Sequence, residues 1–452
     1  MNAFNIDCDW ILPMDSEALP GGRIEVIDGL IESVTGNSKT HTTKKSTSTK
    51  SRQTLAMPGL INLHSHLDYS LLKNLNVDSP LLPWIQKLLE ASSEFCLDDF
   101  KQSALIGAKQ AALSGTTFIC DSSYSGMSAS ALAQVGLKGL VGLELFGLDS
   151  NRAPEVFAHW LSRLESLEKT ADEQLLKALS MRSISFTVSP HAPYTVEPRL
   201  WKMAVDWAQQ AQKPVLAHLS ESDSECDWLA TSSKTLDAFL KAVMPGDKKA
   251  LASLIANLPF KGKGLSPVAH LESFGLLTSH LIAAHLCKTS DHDLSLLVKN
   301  DTCMAHCPRS NSRLQNGIAP LKKVFQNGLK VGLGTDSLAS CDNLSLLDEA
   351  RFAFELHGDL KTGNEHPFKA YLEMITISAA RALRLDKSIG SLSCGKAADI
   401  VTIDLDGDFD NETDLLTALA KGNGRIRSVY AQGRQIVEMG CLNSFPEKLA
   451  KS

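Results

Sequence analysis

The residues of this chain best equipped for chemistry are histidines and acids at the ends of apolar runs. GLINLHSHLDYS (59–70) closes such a run with His64 and His66, one residue apart. Side chains at i and i+2 of a strand point the same way, so both imidazoles can share one ion. An HxH pair alone reads equally well as a polar strand end. His218 in PVLAHLSES (214–222) and Asp336 in KVGLGTDSLAS (330–340) change the balance. Three imidazoles and one carboxylate suit Zn²⁺ or Fe²⁺, with a position left for water. Glu221, three residues after His218, is a carboxyl able to carry a proton if burial raises its pKa; by itself it reads as a helix cap or a solvated loop acid. His285 in LIAAHL (281–286) is either a core histidine or a group that orients the water. His191 in SPHAPYT (189–195), and His306, Arg309 and Asn311 in HCPRSN (306–311), are candidates for orienting a substrate, each with a structural alternative.

Positioning these residues requires strands that end together. The candidates fall on a series of β-rich apolar runs: 60–68, 116–123, 140–147, 184–194, 214–222, 281–286, 302–311 and 330–340. Between them, DDFKQSALIGAKQAALSG and EPRLWKMAVDWAQQAQ are apolar at i, i+3 and i+4, as is LSLLDEARFAFELHGDL after the last run. Eight strands alternating with helices predict a (β/α)₈ TIM barrel, whose C-terminal strand ends converge on one face. The long gap between the fifth and sixth runs calls for extra helices. Strand signals return at both chain ends, in FNIDCDWILPM and GGRIEVIDGLIESV and again in GSLSCGKAADIVTIDLD and IRSVYAQGRQIVEMG. The expected organisation is a discontinuous β-sandwich domain from 1–55 plus 385–452, with a metal-dependent barrel at 56–384 inserted between its halves. Residues 37–54 are rich in Ser, Thr and Lys and read as a solvated loop.

Composition narrows the partners. The 452 residues carry a net charge of −6, which gives no reason to expect nucleic acid or an anionic membrane. No apolar run approaches membrane-spanning length, and MNAFNIDCDWILPMD lacks the basic and apolar regions of a signal peptide, so a cytoplasmic location is the expectation. The ten cysteines form no CxxC pair and read as reduced thiols. Cys303 and Cys307 flank His306, but no second cluster completes a zinc knuckle.

HSHLD, SPHAPYT, AHLSES, AAHL and GTDSLAS, in this order on these strands, resemble the amidohydrolase superfamily. They look most like its cytosine-deaminase-like and chlorohydrolase-like branch, which includes adenosine-type and S-adenosylhomocysteine deaminases. MPGLINLHSH and IGSLSCGKAADIVTID also resemble that family's β-sandwich junctions. The likeness covers nearly the whole chain, apart from 37–54. It implies a hydrolase of C–N bonds in cyclic amidines holding one divalent metal, Zn²⁺ expected and Fe²⁺ open. His64, His66, His218 and Asp336 would be the ligands and Glu221 the proton shuttle. His285 would polarise the attacking water, with Asp336 sharing its proton. The fourth strand ends without the lysine that bridges two metals elsewhere in the superfamily, so the mononuclear subgroup is the better match.

HCPRSN and GTDSLASCDNLSLLDEAR look most like aminodeoxyfutalosine deaminases of the alternative menaquinone pathway. On that likeness the favoured substrate is an adenine nucleoside bearing a benzoate, its carboxylate held by an Arg309 fork. S-adenosylhomocysteine or methylthioadenosine deamination is the alternative, followed by guanine, cytosine or triazine hydrolysis. A non-catalytic metal- or ligand-binding barrel is the reading from another class, although a binder needs neither Glu221 nor His285. The expected partner is a small molecule, with neither nucleic acid nor membrane, and a homodimer is left open.

Overall fold

The apolar runs become strands in the computed structural model, which describes residues 2–36, 52–75, 78–360 and 365–443. In chain order these are β1 (Ala3–Ile11), β2 (Leu19–Ile27), β3 (Leu30–Gly36), β4 (Arg52–Pro58), β5 (Leu60–Ser65), β6 (Thr116–Ser123), β7 (Lys138–Leu145) and β8 (Ile184–Pro190). They continue as β9 (Val215–Leu219), β10 (Leu281–His285), β11 (Cys303–His306), β12 (Lys330–Leu333), β13 (Ile400–Asp406), β14 (Gly424–Ala431), β15 (Arg434–Glu438) and β16 (Cys441–Leu442).

Strands β5 to β12 are the eight expected runs. They pair in parallel as two four-stranded arcs, β5-β6-β7-β8 and β9-β10-β11-β12. Backbone bonds join the arcs at both edges: His218 N donates to His191 O at 2.9 Å, and Asp336 N to His64 O at 3.1 Å. This is the pattern of a (β/α)₈ barrel, and both joints lie at candidate site residues. Helices cover the outside through apolar stripes at helical spacing. Leu97–Leu113 buries Ala104, Ala108, Ala111 and Ala112, small side chains that let it lie close to the strands. The gap between β9 and β10 holds four helices, Asp223–Thr231, Lys234–Val243, Lys248–Ala256 and Pro267–Ser273. Their core, including Trp228, Leu236, Leu240 and Ile255, is continuous with Ala192 and Tyr194 of the loop after β8. The insertion therefore reaches the C-terminal ends of the barrel strands rather than the barrel's flank.

Strands from both chain ends make one eight-stranded sheet in the order β16-β15-β14-β13-β4-β1-β2-β3. Strand β4 is the seam, running parallel to β1 and antiparallel to β13 from Ile400↔Pro58 to Asp406↔Arg52. Residues 52–54 therefore belong to a strand and not to the polar loop expected there. Thr54 shows why: its N–H and hydroxyl donate to Asp9 Oδ2 at 2.7 and 3.0 Å, so its polarity is satisfied across the sheet. Residues 37–51 lie outside the described residues. All ten cysteines are free thiols, and no helix among the described residues is long and apolar enough to cross a membrane.

Candidate functional site

His64 and His66 sit at the end of β5, where Asn62 fixes the backbone. Asn62 Oδ1 accepts from His64 N at 3.3 Å and from Thr335 N at 3.1 Å, while its Nδ2 donates to Thr335 Oγ1 at 2.8 Å. Gly334 makes this approach sterically feasible, because a Cβ there would stand 2.7 Å from His64 Cβ and 2.9 Å from its backbone N and O. Two residues that line the site, His285 and Asp336, hold positive φ of 73° and 56°, and Ser220 in the loop after β9 does so at 51°. Non-glycine residues rarely adopt this conformation, and it concentrates at functional sites.

The imidazole hydrogen bonds determine where the lone pairs point. His66 Nδ1 meets Ser122 O at 2.8 Å and His218 Nδ1 meets His191 O at 2.9 Å. A carbonyl can only accept, so both Nδ1 atoms carry the proton and both Nε2 atoms keep a lone pair. Those two Nε2 atoms face each other at 3.0 Å. His64 Nε2 is buried with no hydrogen-bond partner. Asp336 Oδ1 lies 3.9 Å from His64 Nε2 and 3.8 Å from His66 Nε2, while Ser310 Oγ donates to its Oδ2 at 2.5 Å. Lone pairs that converge without a donor repel unless a cation lies between them. A proton does not suit the role, because burial holds His64, His66 and His218 below the ordinary histidine pKa. The three histidines could hold a metal ion: their ligand atoms lie within 4.8 Å of one another. Burial pushes the Asp336 carboxyl up, but His66, His64, His285 and Ser310 outweigh it and leave the pKa lowered, as suits an anionic ligand.

Glu221 and His285 stand beside this group. Glu225 accepts from the backbone N of Ser220 and Glu221, at 3.2 and 2.8 Å, and so shapes the loop after β9. Glu221 itself is 5% exposed, and its Oε1 accepts from Asn316 Nδ2 at 2.9 Å. Burial raises its pKa, and the nearby Asp336 adds to the rise, against opposing contributions from His285 and Asn316. His285 Nδ1 donates to Asn311 Oδ1 at 2.8 Å, which leaves its Nε2 lone pair 3.7 Å from Glu221 Oε1. An acid and a base thus share one edge of the histidine cluster.

A cavity of about 580 Å³ opens above these groups, lined by His66, His191, His218, Glu221, His285 and Asp336 among others. That is the size of an ordinary small-molecule site. His191 Nδ1 bonds Thr195 Oγ1 at 2.9 Å, and that hydroxyl donates to Ala192 O, so His191 Nε2 is left as an acceptor. Burial, with His66 and His285, pushes the His191 pKa down to about 3 and keeps the ring neutral. The helix Leu81–Ser92 supplies much of the apolar wall, anchored by Trp84 Nε1 donating to Leu75 O and Ala339 O at 3.2 and 3.1 Å.

Three expectations need correction. Arg309 does not line the cavity. Its Nε donates to Glu349 Oε1 at 2.8 Å, and its terminal nitrogens donate to Asn343 Oδ1 and O at 3.0 and 2.9 Å. Glu349 is fully buried, so the guanidinium neutralises an internal carboxylate and has no fork left for a ligand. Asn311 is also absent from the cavity wall and reaches the site only through His285. His306 follows Cys303 and Ala305, which pack in an apolar cluster with Leu216 and Ile282. Strand alternation turns His306 to the other face, where its Nε2 meets His357 Nε2 at 3.2 Å.

The sequence reading missed Glu144, Asn316, Asn62 and Ser310. Glu144, in the penultimate position of β7, lines the cavity with a carboxylate oxygen within 4.8 Å of ring nitrogens of His191 and His218. A single acid inside the apolar run LVGLELFG was the available signal.

Comparison with known proteins places this geometry. The model of the amidohydrolase family matches residues 55–436. A 5-methylthioadenosine/S-adenosylhomocysteine deaminase of Thermoanaerobacter pseudethanolicus is 32% identical over 371 residues, 81% of this chain and 77% of that protein. An adenosine deaminase from Xanthomonas campestris, solved with bound zinc, superposes with a TM-score of 0.73 at 23% identity, covering 98% of this chain and 94% of that one. Helicobacter pylori aminofutalosine deaminase, in complex with methylthio-coformycin, superposes with a TM-score of 0.75 at 19% identity, covering 96% and 100%. At those identities the two structures establish the fold alone.

Proposed function

The chain belongs to the amidohydrolase family, and we propose that it is a metal-dependent deaminase of adenine nucleosides, with methylthioadenosine- or S-adenosylhomocysteine-type substrates ahead of aminodeoxyfutalosine. The observation that carries the reading is the convergence of unpaired imidazole lone pairs beside a buried acid–base pair, Glu221 and His285. The order of substrates follows the curated relatives and the loss of the argument from Arg309.

His64, His66, His218 and Asp336 would hold the ion. A divalent ion supplies Lewis acidity and makes water a competent nucleophile near neutral pH. The protein's own residues account for the proton traffic. His285 Nε2 accepts from the attacking water, its tautomer fixed by Asn311. Glu221 delivers a proton to the ring nitrogen beside the amino-bearing carbon, takes one back from the newly added hydroxyl and passes it to the departing amine, which leaves as ammonia, and the proton held by His285 then returns to Glu221, 3.7 Å away. Its raised pKa is what allows it to carry that proton. His191, neutral and presenting Nε2, orients the base. Zinc is the expected ion, because the nitrogen-rich set with one carboxylate suits it, although iron fits the same donors.

An ammonia-release screen over adenosine, methylthioadenosine, S-adenosylhomocysteine and aminodeoxyfutalosine, joined to metal analysis, tests the proposal. Turnover of at least one of these by protein holding one divalent ion per chain is the expected result. Metal-loaded protein that releases no ammonia from any of them would exclude it.

A further inference from the structure

The acid and the base of the site are both gripped by one short piece of chain. The helical turn Pro308–Arg313 and the residues just after it set three side chains against the proton-handling groups. Ser310 Oγ donates to Asp336 Oδ2, Asn311 Oδ1 accepts from His285 Nδ1 at 2.8 Å, and Asn316 Nδ2 donates to Glu221 Oε1 at 2.9 Å. All three are buried. The backbone binds them into one unit: Asn311 N donates to Cys307 O, Leu314 N to Ser310 O and Asn316 N to Asn311 O, each at 2.9 Å. Between the last two, Gln315 takes a positive φ of 56° and turns the chain back toward the helix.

The unit is pinned from outside by the helix Leu346–His357. Arg309 donates to Glu349 near one end of that helix, and His306, just before the unit, meets His357 at the other. Arg309 thus acquires a role as an anchor. Glu221 needs such support, because its side chain turns about three bonds. Among the described residues Asn316 is the one hydrogen-bond partner of its carboxyl. Donation to Oε1 leaves Oε2 as the oxygen that carries the proton, and it holds the carboxyl 3.7 Å from His285 Nε2. A misplacement of about 1 Å can cost about a hundredfold in rate.

We infer that residues 308–316 form a common mount that sets the spacing between Glu221 and His285, with Asn316 as the positioning residue for Glu221. The inference rests on the deaminase reading and adds a residue to its machinery. Asn316 does not line the cavity, so it acts on the reaction through Glu221 and not by touching the substrate.

Asn316→Leu keeps the volume and removes the donor. With methylthioadenosine, kcat should fall about ten- to a hundredfold, the worth of one hydrogen bond to a charged group, with KM within about twofold of wild type. In Glu221→Gln the same substitution should change kcat less than about twofold, because the group it positions no longer carries a proton. Equal losses in the two backgrounds overturn the inference, as does a loss confined to KM or accompanied by loss of the ion. A second arm needs neither turnover nor the folding of Asn316→Leu. The side-chain amide protons of Asn316, assigned in heteronuclear NMR spectra by the signals missing from Asn316→Asp, should move in Glu221→Ala. Signals that stay in place overturn the contact on which the inference stands. Failure of the underlying reading looks different: the wild type would release ammonia from no nucleoside, while the amide signals would still report the contact.

Discussion

Replacing Glu221 with glutamine removes a proton carrier while keeping its shape. The side chain is 5% exposed, and its Oε1 accepts from Asn316 Nδ2 at 2.9 Å, a bond that a glutamine oxygen keeps. Burial already pushes Glu221 toward its neutral form. A carboxyl with a raised folded-state pKa contributes stability below its ordinary value and loses it as the pH climbs through the raised one. Glutamine carries no such loss, so at pH 7 the variant should melt at the wild-type temperature or slightly above it. The ion should stay, because Glu221 is not among the converging donors. The rate should not stay. General acid–base catalysis contributes about 10²–10⁴ in rate, equivalent to about 3–5 kcal/mol of barrier, and one residue handles both protons in the proposed sequence. Steady-state ammonia release from methylthioadenosine, with metal content and melting temperature measured on the same preparation, separates the possibilities. The expected result is a kcat loss of at least about a hundredfold with metal content intact. Wild-type kcat would remove Glu221 from the proton path, and loss of the ion would make it a ligand; either outcome refutes the reasoning.

Other perturbations follow from the same geometry. Arg309→Ala should lower stability by about 3–5 kcal/mol in chemical denaturation, because it strands the fully buried Glu349; a change in substrate preference at unchanged stability would contradict the structural assignment. Chelation should abolish ammonia release and lower the melting temperature, and an ion present at about a hundred times its Kd stabilises by about 2.7 kcal/mol; a melting curve indifferent to chelator would argue against an ion at this site. His270 is held down to about 4 by burial between Phe260 and Phe274, against an ordinary 6.5. Its contribution to stability is complete above pH 6.5 and is lost as pH falls toward 4, about 3 kcal/mol in all. Denaturation of His270→Gln across that range should show a flatter acid slope than the wild type, and an identical slope would rule His270 out as its source.

How much of this was legible depends on the range over which each interaction acts. The strand ends could be read because alternation along a strand and alternation of strands with helices are local patterns, and all eight barrel runs appear where the apolar sequence puts them. The pairings that tune the site were not legible. Asn62 with Thr335, Glu221 with Asn316 and Ser310 with Asp336 join residues from different strands and loops, and no local spacing announces them. Arg309 shows the converse. A sequence displays a charge but not its partner, and Glu349, forty residues on, claims the guanidinium. His306 was misread through a one-residue difference in facing, which an apolar run of mixed small residues does not fix.

The division of labour within the site bears on how its specificity can change. The histidine tautomers are set by backbone carbonyls, Ser122 O and His191 O, at the barrel's own strand ends. A side-chain substitution in the cavity wall does not remove those acceptors. The wall itself comes from elsewhere: Trp84 and Leu88 from the helix after β5, Phe239 and Leu240 from the insertion after β9, and Glu144 from β7. The groups that would hold an ion and the apolar wall of the cavity therefore come from separable parts of the chain. Substitution of Phe239 by alanine should shift the preference among thioether tails while leaving metal content at the wild-type level, measured on the same protein by metal analysis and kcat/KM. A variant that loses the ion along with the preference would show the two functions to be mechanically coupled through the β9 loop that carries Glu221.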